Sequence, residues 1–456
     1  MDSNTRIKDS IITVDELINH AIEIGHEVVA FTGHEALCSH VKALDIYQKI
    51  KEKNPNFKVI LGNEIYLCRD GLNAQNYIPK QDRFWHFLLL AKDEIGHKQI
   101  RQLSTRAWKR SYDFRGQKRV PTYYQDLIEI IGANPGHVIG LTSCLGGILA
   151  HQLLLYHKQR DISQWEKIQK WCLQMQGFFG VGNFYLEMQP PAEMDNEQDI
   201  VNHYLLALAK QLNIPYVITT DSHYARLEEA PIHKAYLRSQ EGEREVDSFY
   251  ATTYMMSDAE LRKYFCHYDE DIMQTAYRNI IGIKESCKDY SLTKELRIPE
   301  LPWRPYDNMV ADLEVLEYKD KIPYLETFLH SGYWGDKYLA KAIVYAIKHK
   351  DDLKNEAAYA AFQDCLDKTW VSSEVNKVHW SAYYLNLENI VKTVWEAGSL
   401  VGPARGSGTG FIILYALNIT QVNPLREHTQ TFSWRFLNPS RVSVMDYIIL
   451  LIKINI

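Results

Sequence analysis

Six residues of metal-ligand type stand in or close to five apolar runs of this 456-residue chain. His34 follows "VVAFTG", Glu64 follows "KVILGN", Cys144 follows "VIGLTS", and Asp221 and His223 follow "PYVITT"; His86 lies inside "FWHFLLLA". A lone His or Cys beside a strand is usually a satisfied structural residue. Six such groups at matching places have a different reading, because strand ends that open on one mouth aim side chains from distant sequence positions at a common point. The donor mixture of imidazole, carboxylate and thiol suits zinc, manganese or iron better than magnesium alone.

A second stretch has the composition of an anion site. "VGPARGSGTGFIILYALNIT" (401–420) sets glycines, Ser407 and Arg405 between apolar runs. Glycine-rich turns expose backbone N–H groups to phosphate. A P-loop would carry Lys and then Ser or Thr after its last glycine, whereas Gly410 is followed by Phe411 and Ile412. A dinucleotide fingerprint belongs to an early βαβ unit with an acidic residue about 20 positions on, and this loop lies late in the chain. Gly406 lets backbone approach a phosphate without a Cβ clash, Ser407 offers a hydroxyl and an N–H, and Arg405 can add a charge-assisted contact.

The elements that must position these groups alternate. "VDELINHAIEIG" (14–25) and "HVKALDIYQKIKEK" (40–53) carry apolar residues at helical spacing. Between and after them, "EVVAFT", "FKVILG", "FWHFLLLA", "HVIGLT", "NFYLEM" and "PYVITT" read as buried strands. The rhythm predicts an α/β fold, a β/α barrel or a parallel sheet. "LRIPELPWRPYD" (296–307) reads as an exposed connector, and the pattern from about 320 to 400 is helical, with Gly398 placed to end the last helix.

Bulk properties set limits. With 46% hydrophobic and 24% charged residues the chain is ordinary globular material, long enough for about three domains. Its net charge of −6 gives no global attraction to nucleic acid, so such binding must come from local patches. Seven cysteines with no CxxC pair point to a reducing compartment. No apolar run approaches the ~20 residues of a membrane span and no leader peptide is visible, so a cytoplasmic protein with no membrane partner is expected.

The stretches "DSIITVDELINHAIEIGHEVVAFTGHEALCSHVKA", "GNEIYL", "HFLLLAKDEIGHKQIRQLS", "IGLTSCLGG" and "TTDSHYA" resemble, in order, the PHP domain of bacterial replicative DNA polymerase III alpha subunits. The resemblance implies a distorted β/α barrel over residues 1–260, a connector over 261–320 and the start of a polymerase palm over 321–456. It implies metal-ligand roles for His34, Glu64, His86, Cys144, Asp221 and His223. The glycine-rich stretch with "RFLNPSRVSVMDY" is similar to the start of the palm in the same polymerases, which implies that Arg405, Gly406 and Ser407 contact the incoming nucleotide. Mg²⁺ chemistry on a DNA primer-template with dNTPs follows from the same resemblance.

The departures carry expectations of their own. The family's first strand bears a His-x-His pair that has no counterpart in "MDSNTRIKDS", and Gly33 stands where the family has an aspartate. No neighbouring residue obviously replaces those donors, so a degraded metal site with partial occupancy and little phosphoesterase activity is expected. Asp446 matches the first carboxylate of the polymerase Asp-x-Asp, and Ile448 occupies the second position. A single carboxylate cannot clamp two ions about 3.5–4 Å apart, so the palm is expected to be incomplete, through truncation, a shifted frame or a split protein with a complementing chain or replisome partner. Three readings therefore stand: a portion of a DNA polymerase III alpha subunit, a free-standing PHP-type phosphoesterase or 3′–5′ exonuclease, and a non-catalytic fragment.

Overall fold

Strands form where buried, β-branched-rich runs lie between turns. In the computed structural model, which describes residues 9–114, 117–239, 250–293, 297–302, 310–426 and 431–441, seven such strands make one sheet. They are β1 (Val28–Phe31), β2 (Lys58–Cys68), β3 (Trp85–Ala91), β4 (Pro121–Tyr123), β5 (Val138–Leu141), β6 (Phe184–Met188) and β7 (Tyr216–Ile218). The order is β1-β2-β3-β5-β6-β7, with β4 pairing with the far part of β2. Helices cover the sheet's outer face, so β2 is buried on both faces along nearly its whole length.

Direction in the sheet matters for the site. β1 and β2 run parallel, as do β5, β6 and β7 in turn, but β3 is antiparallel to both of its neighbours. The sheet is therefore mixed rather than wholly parallel. The reversal puts the N-terminal end of β3, where His86 sits, beside the C-terminal ends of the parallel strands. β2 also outruns the short strand expected over "FKVILG": its pairing with β3 extends to Leu67 and places Glu64 inside the strand, opposite Leu88. The sheet curls into a distorted half-barrel around a cleft of about 490 Å³, with β1 and β7 as its two ends.

Local capping fixes the helices that brace this sheet. Thr13 accepts a hydrogen bond from the Glu16 N–H at 3.1 Å to start Val14–Glu23, whose first turn is acidic. Asp93 accepts from the Gly96 N–H at 2.9 Å to start Glu94–Lys109 directly after β3. Helix Glu270–Ser286 packs on β7.

The chain divides into two compact units, residues 1–293 and 294–456, so the division falls within the segment expected as a connector. The second unit is helical, with Trp334–His349, Glu356–Asn376 and Trp380–Glu396 around a core that includes Leu339, Ile343, Phe362 and Leu366. Tyr384 is fully buried there, its hydroxyl satisfied by Thr369 at 2.9 Å, so this aromatic belongs to the core. Gly398, at φ +74°, ends the last long helix in the left-handed conformation that side chains resist.

Candidate metal centre

The C-terminal side of β1 and the middle of β2 bring the first two groups together. Pairing continues past β1 as the Glu64 N–H donates to the Gly33 carbonyl at 3.2 Å and the Glu35 N–H donates to the Glu64 carbonyl at 2.8 Å. That ladder sets His34 beside Glu64, with His34 Nδ1 3.5 Å from Glu64 Oε2. From the reversed β3, His86 Nδ1 lies 2.8 Å from Glu64 Oε1. Glu64 thus stands between two imidazoles, and its second-row support is Ser143, whose hydroxyl donates to Oε1 at 3.0 Å.

The turn after β5 delivers the thiol. The His86 N–H donates to the Gly146 carbonyl at 3.1 Å, which lays this turn along β3 and leaves Cys144 Sγ 3.4 Å from His86 Nδ1. A Cβ on Gly146 would fall 2.9 Å from that same nitrogen, so glycine is required for the close approach. Ser143, preceding the thiol, is held at φ +66°, and Asp221, after β7, at φ +44°. Two left-handed non-glycine residues at one site represent local strain that the surrounding hydrogen bonds maintain.

His223 reaches the cluster from beyond β7, and its ring lies 6.4 Å from that of His34. The Asp221 carboxylate is 3.9 Å from His223 Nδ1, a nitrogen that already contacts the Asp221 carbonyl at 2.6 Å. The chain's first described residues close this side, because the Ile11 N–H and the Ser10 hydroxyl donate to the His223 carbonyl at 3.0 and 2.9 Å. Asp9 is carried with them, its Oδ2 3.3 Å from His34 Nε2.

Two sets of three donors result: Asp9, His34 and His223, and His34, Glu64 and His86, with the ligand atoms of each set within 4.8 Å of one another. Donors on one small cation are separated by roughly 3–4 Å, so both sets are near binding geometry. His34 belongs to both sets. Cys144 touches the second set through His86, and Asp221 adjoins the first through His223. Asp9 supplies a carboxylate that the sequence reading did not identify; it lies in a polar segment without periodicity. Glu187 was also missed, although a single carboxylate inside the apolar "NFYLEM" is itself a signal. It accepts from the Ser143 N–H at 3.1 Å and the Thr219 hydroxyl at 2.5 Å, and so anchors the turn that carries Cys144.

Electrostatics follow from the burial. Burial by itself would raise Glu64, but His34 and His86 facing it hold its carboxyl well below the usual carboxylate range. Burial works against a charged His86, yet Glu64 and then Cys144 lift its pKa well above the ordinary value. Burial pushes the Cys144 thiol up to about 11 despite His86, and raises Glu187 to about 7, with Asp221 and Glu64 adding to the rise. Asp221 is raised by burial and Glu64, against the pull of His223. A divalent cation would relieve this concentration of buried acids, and the donor chemistry fits one.

The glycine loop occupies the second unit. Gly406 has φ +78°, Ser407–Gly410 forms a single 3-10 turn, and the apolar run after it makes only a five-residue helix, Ile412–Ala416. Any anion held here would rest on turn N–H groups and not on a helix dipole, which needs more aligned peptides. Arg405 and Gly406 are exposed, while the Ser407 hydroxyl is buried without a hydrogen-bond partner among the described residues. Asp446 and Ile448 lie outside the described residues. Among the described residues no helix is long and apolar enough to cross a membrane.

Comparison with known proteins finds two family matches along the chain. Residues 1–191 match the PHP domain family, and residues 351–449 match the bacterial DNA polymerase III alpha NTPase domain. The probable DNA polymerase YorL of Bacillus subtilis is 32% identical over 97% of this chain, and so is a DNA-directed DNA polymerase of Bacillus phage SPbeta. The DNA polymerase III subunit alpha of Treponema pallidum is 27% identical over 98% of it. The chain spans about a third of the length of these relatives, 35%, 35% and 33% respectively.

Proposed function

We propose that the chain belongs, over the length it shares with its relatives, to the bacterial DNA polymerase III alpha family, and that it serves DNA-templated DNA synthesis as a metal-binding PHP module followed by the start of a palm. The observation that carries this is the order of the two family matches, PHP domain at 1–191 and DNA polymerase III alpha NTPase domain at 351–449, within a chain 32% identical over 97% of its length to a probable DNA polymerase. Functionally, residues 1–260 are assigned to the PHP module, 261–320 to a connector and 321–456 to the palm. The reaction is transfer of a nucleotide from dNTP to a primer 3′-hydroxyl, in the cytoplasm, on a DNA primer-template.

In this reading Arg405, Gly406 and Ser407 contact the triphosphate through a fixed charge, backbone N–H groups and a hydroxyl. Asp446, which matches the first carboxylate of the family's Asp-x-Asp, would hold a cation. Mg²⁺, when bound, would supply charge neutralisation for the transfer, and one aspartate does not suffice to hold two such ions. The residues of this chain alone are therefore expected to bind nucleotide weakly and to leave a primer unextended. In the PHP module, His34, Glu64, His86, Cys144, Asp221 and His223, with Asp9, would hold zinc, manganese or iron at partial occupancy.

The test is titration of the full chain with dATP and Mg²⁺ alongside a primer-extension assay. Weak dATP binding that Arg405→Ala reduces, without extension, is the expected result. Absence of dATP binding would overturn the assignment of the loop, and measurable incorporation would show that carboxylates other than Asp446 complete the site. A metal-dependent phosphoesterase is the second reading, favoured by the buried donors around Glu64. Mn²⁺-dependent hydrolysis of bis(p-nitrophenyl) phosphate that Glu64→Gln abolishes would support it over a purely structural metal.

A further inference from the structure

Phe432 and Trp434 stand on the surface of the second unit with 51% and 46% of their area exposed, although each could bury a large apolar face. Their rings stack on each other, with centroids 6.1 Å apart and planes inclined by 28°. The pair is rigidly mounted. The turn Ser433–Arg435 packs on the glycine turn Ser407–Gly410, and a Cβ on Gly410 would lie 2.9 Å from the Phe432 carbonyl oxygen and 3.0 Å from its nitrogen. Ser433 donates to Asp364 at 2.6 Å, and the Thr431 hydroxyl donates to the Pro424 carbonyl at 3.4 Å. A cleft of about 200 Å³ lies at the foot of the pair, lined by Asp364, Gly410, Leu425, Phe432 and Trp434 among others.

Charge gives this surface its partner. Residues 397–441 contain four arginines, Arg405, Arg426, Arg435 and Arg441, against one acidic residue, Glu427, in a chain whose overall charge is −6. Asp364, which lines the cleft at the foot of the pair, is engaged by Ser433 and by Lys368. Arg435 is exposed in the same turn as Trp434, and Arg405 is exposed just before the glycine turn packed against it; exposed aromatic faces with cations beside them suit single-stranded nucleic acid, since unpaired bases stack on rings while phosphates meet the cations. A duplex would keep its bases stacked away from such faces.

We propose that Phe432 and Trp434 form a base-stacking platform for single-stranded nucleic acid at the edge of the glycine loop. The choice of nucleic acid as occupant rests on the polymerase reading, but strand binding and primer extension are separate measurements and either can fail alone.

The experiment is fluorescence anisotropy of a fluorescein-labelled oligothymidylate of about 12 nucleotides, with the full chain and its variants across a salt series. Trp434→Ala and Phe432→Ala should each weaken binding by about tenfold with no change in salt slope. Trp434→Phe should restore most of the affinity, which a merely structural role for a Trp-sized side chain would not allow. Arg435→Gln should instead lower the salt slope by about one. Wild-type affinity in Trp434→Ala, absence of oligonucleotide binding by the wild type, or displacement by thymidine monophosphate at equal per-base concentration would each overturn the proposal.

Discussion

The two candidate sites are built by opposite means. In the first unit, side chains from residues 9 to 223 converge across the sheet, each ring or carboxylate held by a different element. In the second, the loop 401–411 supplies its groups from one short run, mostly as backbone, and the nearby aromatic pair comes from a turn packed against it. A convergent side-chain site concentrates charge and is vulnerable at each donor. A backbone site is vulnerable where a Cβ cannot fit.

The sharpest way to break that contrast is Glu64→Ala. Removing the carboxylate between His34 and His86 is expected to weaken metal retention at least about a hundredfold, read by competition with a chelator. It should also lower the unfolding free energy of the first unit by about 3–5 kcal/mol, because charged partners are left buried. Unchanged chelator competition would sink the metal-centre reading.

Gly410→Ala probes the other side. The added methyl must displace the Phe432 backbone, and about 1–3 kcal/mol of stability should be lost in urea unfolding while metal retention stays as in the wild type. Equal stability would mean that the turn gives way easily and the platform is not rigid.

A pH series separates stability from metal binding within the first unit. His40 and His97 face each other at 3.0 Å and belong to neither donor set; burial, reinforced by His97, lowers His40 to about 3, and burial lowers His97 to about 4. Both folded values lie below the ordinary 6.5, so their stabilising neutral state is complete above that pH and is lost as pH falls toward 3–4. His40 alone should cost about 2 kcal/mol at pH 5 relative to pH 7. Melting curves of His40→Gln should show a smaller drop over that interval; an identical drop would locate the acid sensitivity elsewhere.

The smallest effect is expected from Gly406→Ala. No neighbouring atom opposes the new Cβ, so only the positive φ is penalised, by about 1 kcal/mol. A loss of dATP binding larger than this stability change would mark the backbone approach itself as the functional feature.

The sequence by itself determined the alternation of helices and buried strands, because periods of 3.6 and 2 are local properties of side-chain order. The glycine loop was legible too, because its groups are contiguous, and so was the placement of six metal-type residues in or just after apolar strand runs. The sequence did not determine which of them meet. The reversal of β3 aims His86 at the same mouth as the parallel strands, and no local pattern distinguishes an antiparallel buried strand from a parallel one. Asp9 was invisible because its role arises only when residues 10 and 11 hydrogen-bond to His223, more than two hundred positions away. Glu187 differs: a carboxylate within a buried strand was legible as an anomaly, but its partners, the Ser143 amide and the Thr219 hydroxyl, belong to other strand ends. Tertiary structure decided these contacts because strand order and direction are set by packing the whole sheet, and a convergent site inherits its geometry from that packing.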